Sequence, residues 1–211
     1  NEIKKICELG FSQFNHHLTS EDLTEIKKID DVIKEKVQVN GAPGFQRFHN
    51  IHNEHALPKG FFNKCNELAK EYFNTSSSTF EATQYQISWH HPQNNPPGLG
   101  YHVDDYGKIL KFFIFFNEVT DKNGPFKILE SSRNFMKMIH GFMWIWLTNL
   151  KRTYYEIDHI PSSLLKNERK FLCSPMSIYA VDTSSLHSAS QVIEGERRIL
   201  VLTFRDTRFE I

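Results

Sequence analysis

The chain has 211 residues, 39% of them hydrophobic and 24% charged, enough to bury one core without staples. Lysine plus arginine matches aspartate plus glutamate at 25 each, which gives no support to a nucleic-acid groove or an anionic membrane surface as partner. Cys7, Cys65 and Cys173 are widely spaced and form no CxxC, which argues against a disulfide framework or a cysteine zinc site and for reduced thiols in the cytoplasm.

No apolar run of roughly 18 residues and no signal-peptide pattern occurs. The first residue is Asn1, so what precedes it is open. The first part, to about Lys36, reads helical. Leu23, Ile26, Ile29, Val32 and Ile33 recur at helical steps, Ser20 is the expected N-cap, and Lys27, Lys28, Asp30 and Asp31 read as a solvated face. NGAPG at 40–44 is a loop. A second helix is expected from Pro58, carrying Phe61, Phe62, Cys65, Leu68, Ala69, Tyr72 and Phe73, and ending at NTSSS. After about Thr79 strand-like text takes over: TFEATQYQISWH, KILKFFIFFNEV, PFKILE, FLCSPMSIYAVD and RRILVLTFR, with turn signals between. A segment over about 132–170, rich in aromatics and bases, interrupts the strands and is read with one helix near 141–150. The expected architecture is one domain, mainly β with flanking helices (α+β). Its helical part spans about 1–78, and its barrel or sandwich core about 79–211, with helices on one side.

The chemistry centres on Tyr101-His102-Val103-Asp104, just before the apolar strand. In an extended chain residues i and i+2 face the same way, so His102 and Asp104 aim at one point. A second histidine, His187, follows the strand MSIYAV, and Arg197 and Arg198 stand ten and eleven residues beyond it. Two histidines and one carboxylate on one face of an iron leave three positions open, the facial triad of non-haem Fe(II) oxygenases. A 2-oxoglutarate molecule would take two and dioxygen the third, with an arginine forking onto the far carboxylate.

The stretches HVD, LKFFIFFNEVTDKNGPF, DTSSLHSAS and GERRILVLTF together resemble the phytanoyl-CoA dioxygenase family of Fe(II)/2-oxoglutarate oxygenases, over about residues 80–207. The resemblance implies a double-stranded β-helix (jelly roll), with His102, Asp104 and His187 as iron ligands. It also implies 2-oxoglutarate and dioxygen as co-substrates, and hydroxylation of a small or carrier-linked molecule with release of succinate and CO2. A halogenating subclass has a small residue in place of the carboxylate; Asp104 is present, so hydroxylation is expected. Family spacing favours Arg198 as the co-substrate arginine, whereas the local text favours Arg197. Adjacent strand residues face opposite ways, so one of the two reaches the pocket, and Arg197 is the preferred reading. Gln84, Gln86 and Ser88 share a face of the preceding strand, and Gln86 is the candidate polar contact there. Lys111 is a candidate co-substrate contact or a side chain snorkelling to the strand end. Asp105 has the wrong spacing to share the face. The text departs from the family at Cys173-Ser174-Pro175-Met176, where a Gly-Asp turn is usual, and at Glu130-Ser131-Ser132-Arg133, where Pro-Gly-Ser-His is usual.

His16-His17 and His90-His91 read as surface or packing residues. Trp144 and Trp146 read as packing, His140 and His159 as possible lining of an entrance, and Cys173 as an inert core thiol. Two rival functions stay open: a cupin-type metal enzyme that does not use 2-oxoglutarate, and a non-catalytic binding module of the same fold.

Overall fold

The computed structural model describes residues 1–14, 18–37, 44–76, 80–92, 99–105, 107–134, 154–206 and 208. Two antiparallel sheets face each other. The larger runs β1 (Phe11–Gln13), β9 (Ser177–Asp182), β5 (Ile109–Phe115), β11 (Glu196–Arg205), β3 (Phe80–Trp89), β2 (Phe45–His49). The smaller runs β7 (Tyr154–Tyr155), β4 (Tyr101–His102), β10 (His187–Ala189), β6 (Phe126–Leu129), β8 (Glu168–Lys170). Helices α1 (Glu2–Leu9), α2 (Ser20–Glu35) and α3 (Lys59–Phe73) contribute to the apolar layer on the outer face of the larger sheet, and a single turn, α4 (Ser162–Leu165), packs near the smaller one. This is the jelly-roll arrangement with helices on one side that the order of elements implies.

The unbroken apolar text of β5 has a simple cause. Leu110, Phe112 and Ile114 face the helices, packed with Ile26, Ile29, Phe61 and Phe73. Phe113 and Phe115 face inward, with Phe126, Ile128, Val181, Ile199 and Val201. A central strand covered on both faces has no solvent side to make polar. The same alternation sorts β11: Leu200, Leu202 and Phe204 pack with the helices, and Ile199 and Val201 fill the space between the sheets.

Several expectations need correction. The first 36 residues are not one helical region, since β1 lies between α1 and α2 and pairs with β9. The N-cap of α2 is Thr19, whose hydroxyl accepts from the Asp22 amide while Asp22 accepts from the Thr19 amide, a reciprocal box. Ser20 is the first helical residue. Asp30 is not on a solvated face: it is 4% exposed, accepts from the Tyr85 hydroxyl at 2.6 Å, and pairs with Arg198 at 2.9 Å. FLCSPMSIYAVD is a strand only from Ser177, because the turn through Ser174 and Met176 precedes it. β2 was not foreseen. The helix expected near 141–150, together with His16, His17, His140, Trp144 and Trp146, lies outside the described residues.

Two of the departures in sequence carry left-handed backbone. Ser131 has φ 63° and Met176 φ 61°, conformations that glycine adopts freely and other residues at a cost. Ser131 stands where the resembling family has glycine.

Gly10 closes α1 with φ 95°, and its carbonyl accepts from the Asp182 amide at 2.8 Å. A Cβ there would stand 2.8 Å from Ile128 Cδ1 and 3.0 Å from Ser185 Oγ. Gly10→Ala is expected to lower stability by about 2 kcal/mol, read as a shift in the urea midpoint without loss of cooperativity. An unchanged midpoint would contradict the close approach of α1 to the β9–β10 turn.

Candidate metal centre

His102 lies on β4 and His187 on β10, and the register sets them directly opposite one another. Directly opposed residues in antiparallel strands project to the same face. Their rings are 4.2 Å apart between centroids. Val103 turns away into the apolar cluster of Tyr101, Leu129, Ile160 and Leu186, and Asp104 turns back. The Asp104 amide donates to the Thr183 carbonyl at 3.0 Å, fixing the chain just after β4 against the turn that leads to β10. His102, Asp104 and His187 can each offer a ligand atom, all within 4.8 Å of one another.

Both imidazoles are oriented by the same device. His102 Nδ1 donates to the Gly100 carbonyl at 2.9 Å and His187 Nδ1 to the Ser185 carbonyl at 2.9 Å. In the neutral ring this tautomer leaves Nε2 as the nitrogen free to bind a metal. His187 is 4% exposed. Burial pushes its pKa down to about 4, against the raising effect of Asp104, so it is neutral at pH 7. For Asp104, burial raises the pKa, but Lys111 and His187 outweigh it and hold the carboxyl well below its usual range. Lys111 Nζ stands 2.8 Å from Asp104 Oδ2.

The turn that delivers His187 is clamped from three sides. Asp182 is fully buried. It accepts from the Tyr72 hydroxyl of α3 at 2.6 Å, from Arg133, and from the Ser184 amide at 3.0 Å. Ser132 Oγ accepts from the Leu186 amide at 2.8 Å. Ser132, which keeps the family's serine, and Arg133, which departs from its histidine, thus both hold this turn.

Arg197 and Arg198 take opposite faces. Arg198 points to the helices and pairs with Asp30 and Glu196. Arg197 points between the sheets and is 6% exposed. One of its terminal nitrogens donates to the Gly124 carbonyl. Its Nε has no partner among the described residues, and neither has the buried Ser88 Oγ directly opposite. Burial pushes the Arg197 pKa down to about 10. A buried guanidinium without a carboxylate is costly unless an anion joins it. The donor set therefore fits a metal with a dicarboxylic acid reaching toward Arg197. Gln86 is on the same inner face and donates to Gln84 at 3.2 Å. Asp105 turns outward to Arg205. His159 is exposed beside Glu156, and Cys173 is a free, partly buried thiol.

Sequence reasoning missed Asp182, Arg133, the two carbonyls behind the histidines, and Arg47 on β2. Their roles depend on pairings across the fold. For Arg47, the alternation of Phe45, Arg47 and His49 was the one local signal of a strand.

No protein-family model matches the sequence, and no curated protein does. Solved structures match in fold. EvdMO1 is 14% identical with TM-score 0.65, over 98% of this chain and 49% of that chain, so this chain spans about half of it. EvdO2 from Micromonospora carbonacea var. aurantiaca, complexed with 2-oxoglutarate, is 14% identical with TM-score 0.66, over 98% and 90%. SnoN from nogalamycin biosynthesis, described as a non-heme alpha ketoglutarate dependent epimerase, is 10% identical with TM-score 0.68, over 97% and 82%. Among the described residues no helix is long and apolar enough to cross a membrane.

A neutral buried histidine makes stability depend on pH. The folded pKa of His187, about 4, lies below the ordinary 6.5, so the unfolded chain binds the proton first as pH falls. The metal-free protein is expected to lose stability between pH 6.5 and 4. His187→Gln should flatten that loss by roughly 2–3 kcal/mol, measured by urea unfolding in chelator. Equal pH slopes in the two proteins would contradict a buried neutral imidazole.

Proposed function

We propose that this chain is an Fe(II)- and 2-oxoglutarate-dependent oxygenase, related to the phytanoyl-CoA dioxygenase family, that hydroxylates an aliphatic C–H bond of a small molecule. The observation that carries the reading is the pairing of two features within one barrel: the His102–Asp104–His187 set and an inward Arg197 with no carboxylate partner among the described residues. A metal site alone would suit many barrel enzymes. The buried cation adds the demand for an anionic co-substrate.

Iron bound there with 2-oxoglutarate and dioxygen would supply the oxidising power needed to break a C–H bond. The chain's own residues do the rest. His102 and His187 present Nε2 because the Gly100 and Ser185 carbonyls hold their Nδ1 protons. Lys111 pairs with Asp104 and keeps its carboxyl ionised, as a ligand carboxylate must be. Arg197 and Ser88 would receive the far carboxylate. Phe126 stacks on His187 with centroids 5.3 Å apart. Phe113 lies 4.8 Å beyond it, so the floor of the site excludes water. The fold carries epimerase chemistry in SnoN; Asp104 fills the position that a halogenating subclass leaves to a small residue, which favours hydroxylation over halogenation. The free thiols accord with a cytoplasmic setting.

Calorimetry of 2-oxoglutarate on the Zn(II)-loaded protein tests the co-substrate assignment. Arg197→Gln should weaken binding at least about tenfold. Arg198→Gln should leave the affinity within about twofold but lower the melting temperature, because Asp30 loses its partner. The opposite pattern, with Arg198 required and Arg197 dispensable, would sink the assignment. An affinity insensitive to both would favour a cupin-type enzyme that does not use 2-oxoglutarate.

A further inference from the structure

The arginines divide by partner. Arg133, Arg169, Arg198, Arg205 and Arg208 each pair with a carboxylate: Asp182, Glu130, Asp30, Glu81 and Asp206. Among the described residues, two have no ion-pair partner. Arg197, inside the barrel, is one. Arg47, at its rim, is the other.

Arg47 sits on β2, the edge of the larger sheet. Register puts it opposite Gln86, and Gln86 opposite Ile199, so its side chain leaves the strand on the inner face. Its guanidinium carbon rests 5.2 Å over the ring of Phe45, which steadies the group without neutralising it. β7 is the edge of the smaller sheet. Its Tyr154 stands opposite His102 and lays its ring on that imidazole at 5.0 Å and 21°, yet stays 56% exposed. Arg47 is exposed at this rim, within electrostatic range of Asp104 and of Tyr154, so the two edges meet at the end of the barrel that holds the metal set. Asp104 cannot serve as its partner, being held by Lys111 and required by the metal. The rim therefore offers an exposed aromatic ring, stacked on His102, and on the opposite edge an exposed cation with no ion-pair partner among the described residues.

We propose that the prime substrate carries an oxyanion, carboxylate or phosphate, that pairs with Arg47, and that it lies across the Tyr154 ring with its reacting carbon toward the metal. The inference rests on the oxygenase reading and adds the substrate's charge to it. Arg47 thereby sets which molecules are accepted, because a neutral analogue forgoes the ion pair that an oxyanion makes.

Benzoate, phenyl phosphate and benzamide serve as probes, titrated by calorimetry into protein loaded with Zn(II) and saturated with 2-oxoglutarate, so that Arg197 is already engaged. At least one anion is expected to bind about tenfold or more tighter than benzamide. The anion preferred identifies carboxylate or phosphate. Arg47→Gln should bring the anions to within about twofold of benzamide, Arg47→Lys should keep most of the preference, and Arg169→Gln, a distant surface change, should keep all of it. Anions that bind no tighter than benzamide, or a preference that survives Arg47→Gln, overturn the proposal. If 2-oxoglutarate itself fails to bind the loaded wild-type protein, the oxygenase reading falls. If it binds and the probes show no preference, only the role of Arg47 falls.

Discussion

The pairing of β10 with β4 puts His187 directly across from His102, and the rest of the site is arranged around that register. A slip of one residue would turn one imidazole to the outer face. Several contacts pin it. Asp182 is held by Tyr72 and Arg133, and its amide reaches Gly10. Ser132 holds the Leu186 amide, and the Asp104 amide holds the Thr183 carbonyl. The helices thus do more than cover a sheet. Through Tyr72 on α3 and the cap of α1 they fix the turn that delivers His187. A buried ion pair is a weak source of net stability, and the clamp at Asp182 is better understood as a device for position.

Buried charge is spent differently on the two sides of β11. Arg198 faces the helices and is matched by Asp30, itself hydrogen-bonded by Tyr85. One residue away, Arg197 faces the interior, and the polar atoms near it are a carbonyl and an unpartnered hydroxyl. Arg198 is thus matched by a carboxylate, and Arg197, among the described residues, is not.

Much of this was legible in the sequence, for physical reasons. Apolar runs marked β5 and β11 as strands, and the spacing of His102 and Asp104 is a property of any extended chain. Adjacent residues on a strand must diverge, which reduced the arginine question to one of two. What was not legible came from contacts distant along the chain. Asp30 read as solvated because nothing local reveals that Arg198, 168 positions later, folds onto it. β1 and β2 are short edge strands whose identity depends on β9 and β3 being present to pair with. Thr19 rather than Ser20 caps α2 because Asp22, three residues on, completes the reciprocal box; both residues are good caps, and only the geometry chooses. The departures at Ser131 and Arg133 looked like lost family features. In the fold Ser131 keeps the left-handed turn, and Arg133 becomes the clamp on Asp182.

The central claim is that the three ligands and the buried arginine form one site for iron and 2-oxoglutarate. The most direct measurement is an anaerobic titration of metal-free protein with Fe(II) and then 2-oxoglutarate, followed by visible absorption. The account predicts a weak charge-transfer band that saturates with 2-oxoglutarate and is absent in His102→Ala. Iron that binds tightly with no such band, or a band undiminished in His102→Ala, would contradict it.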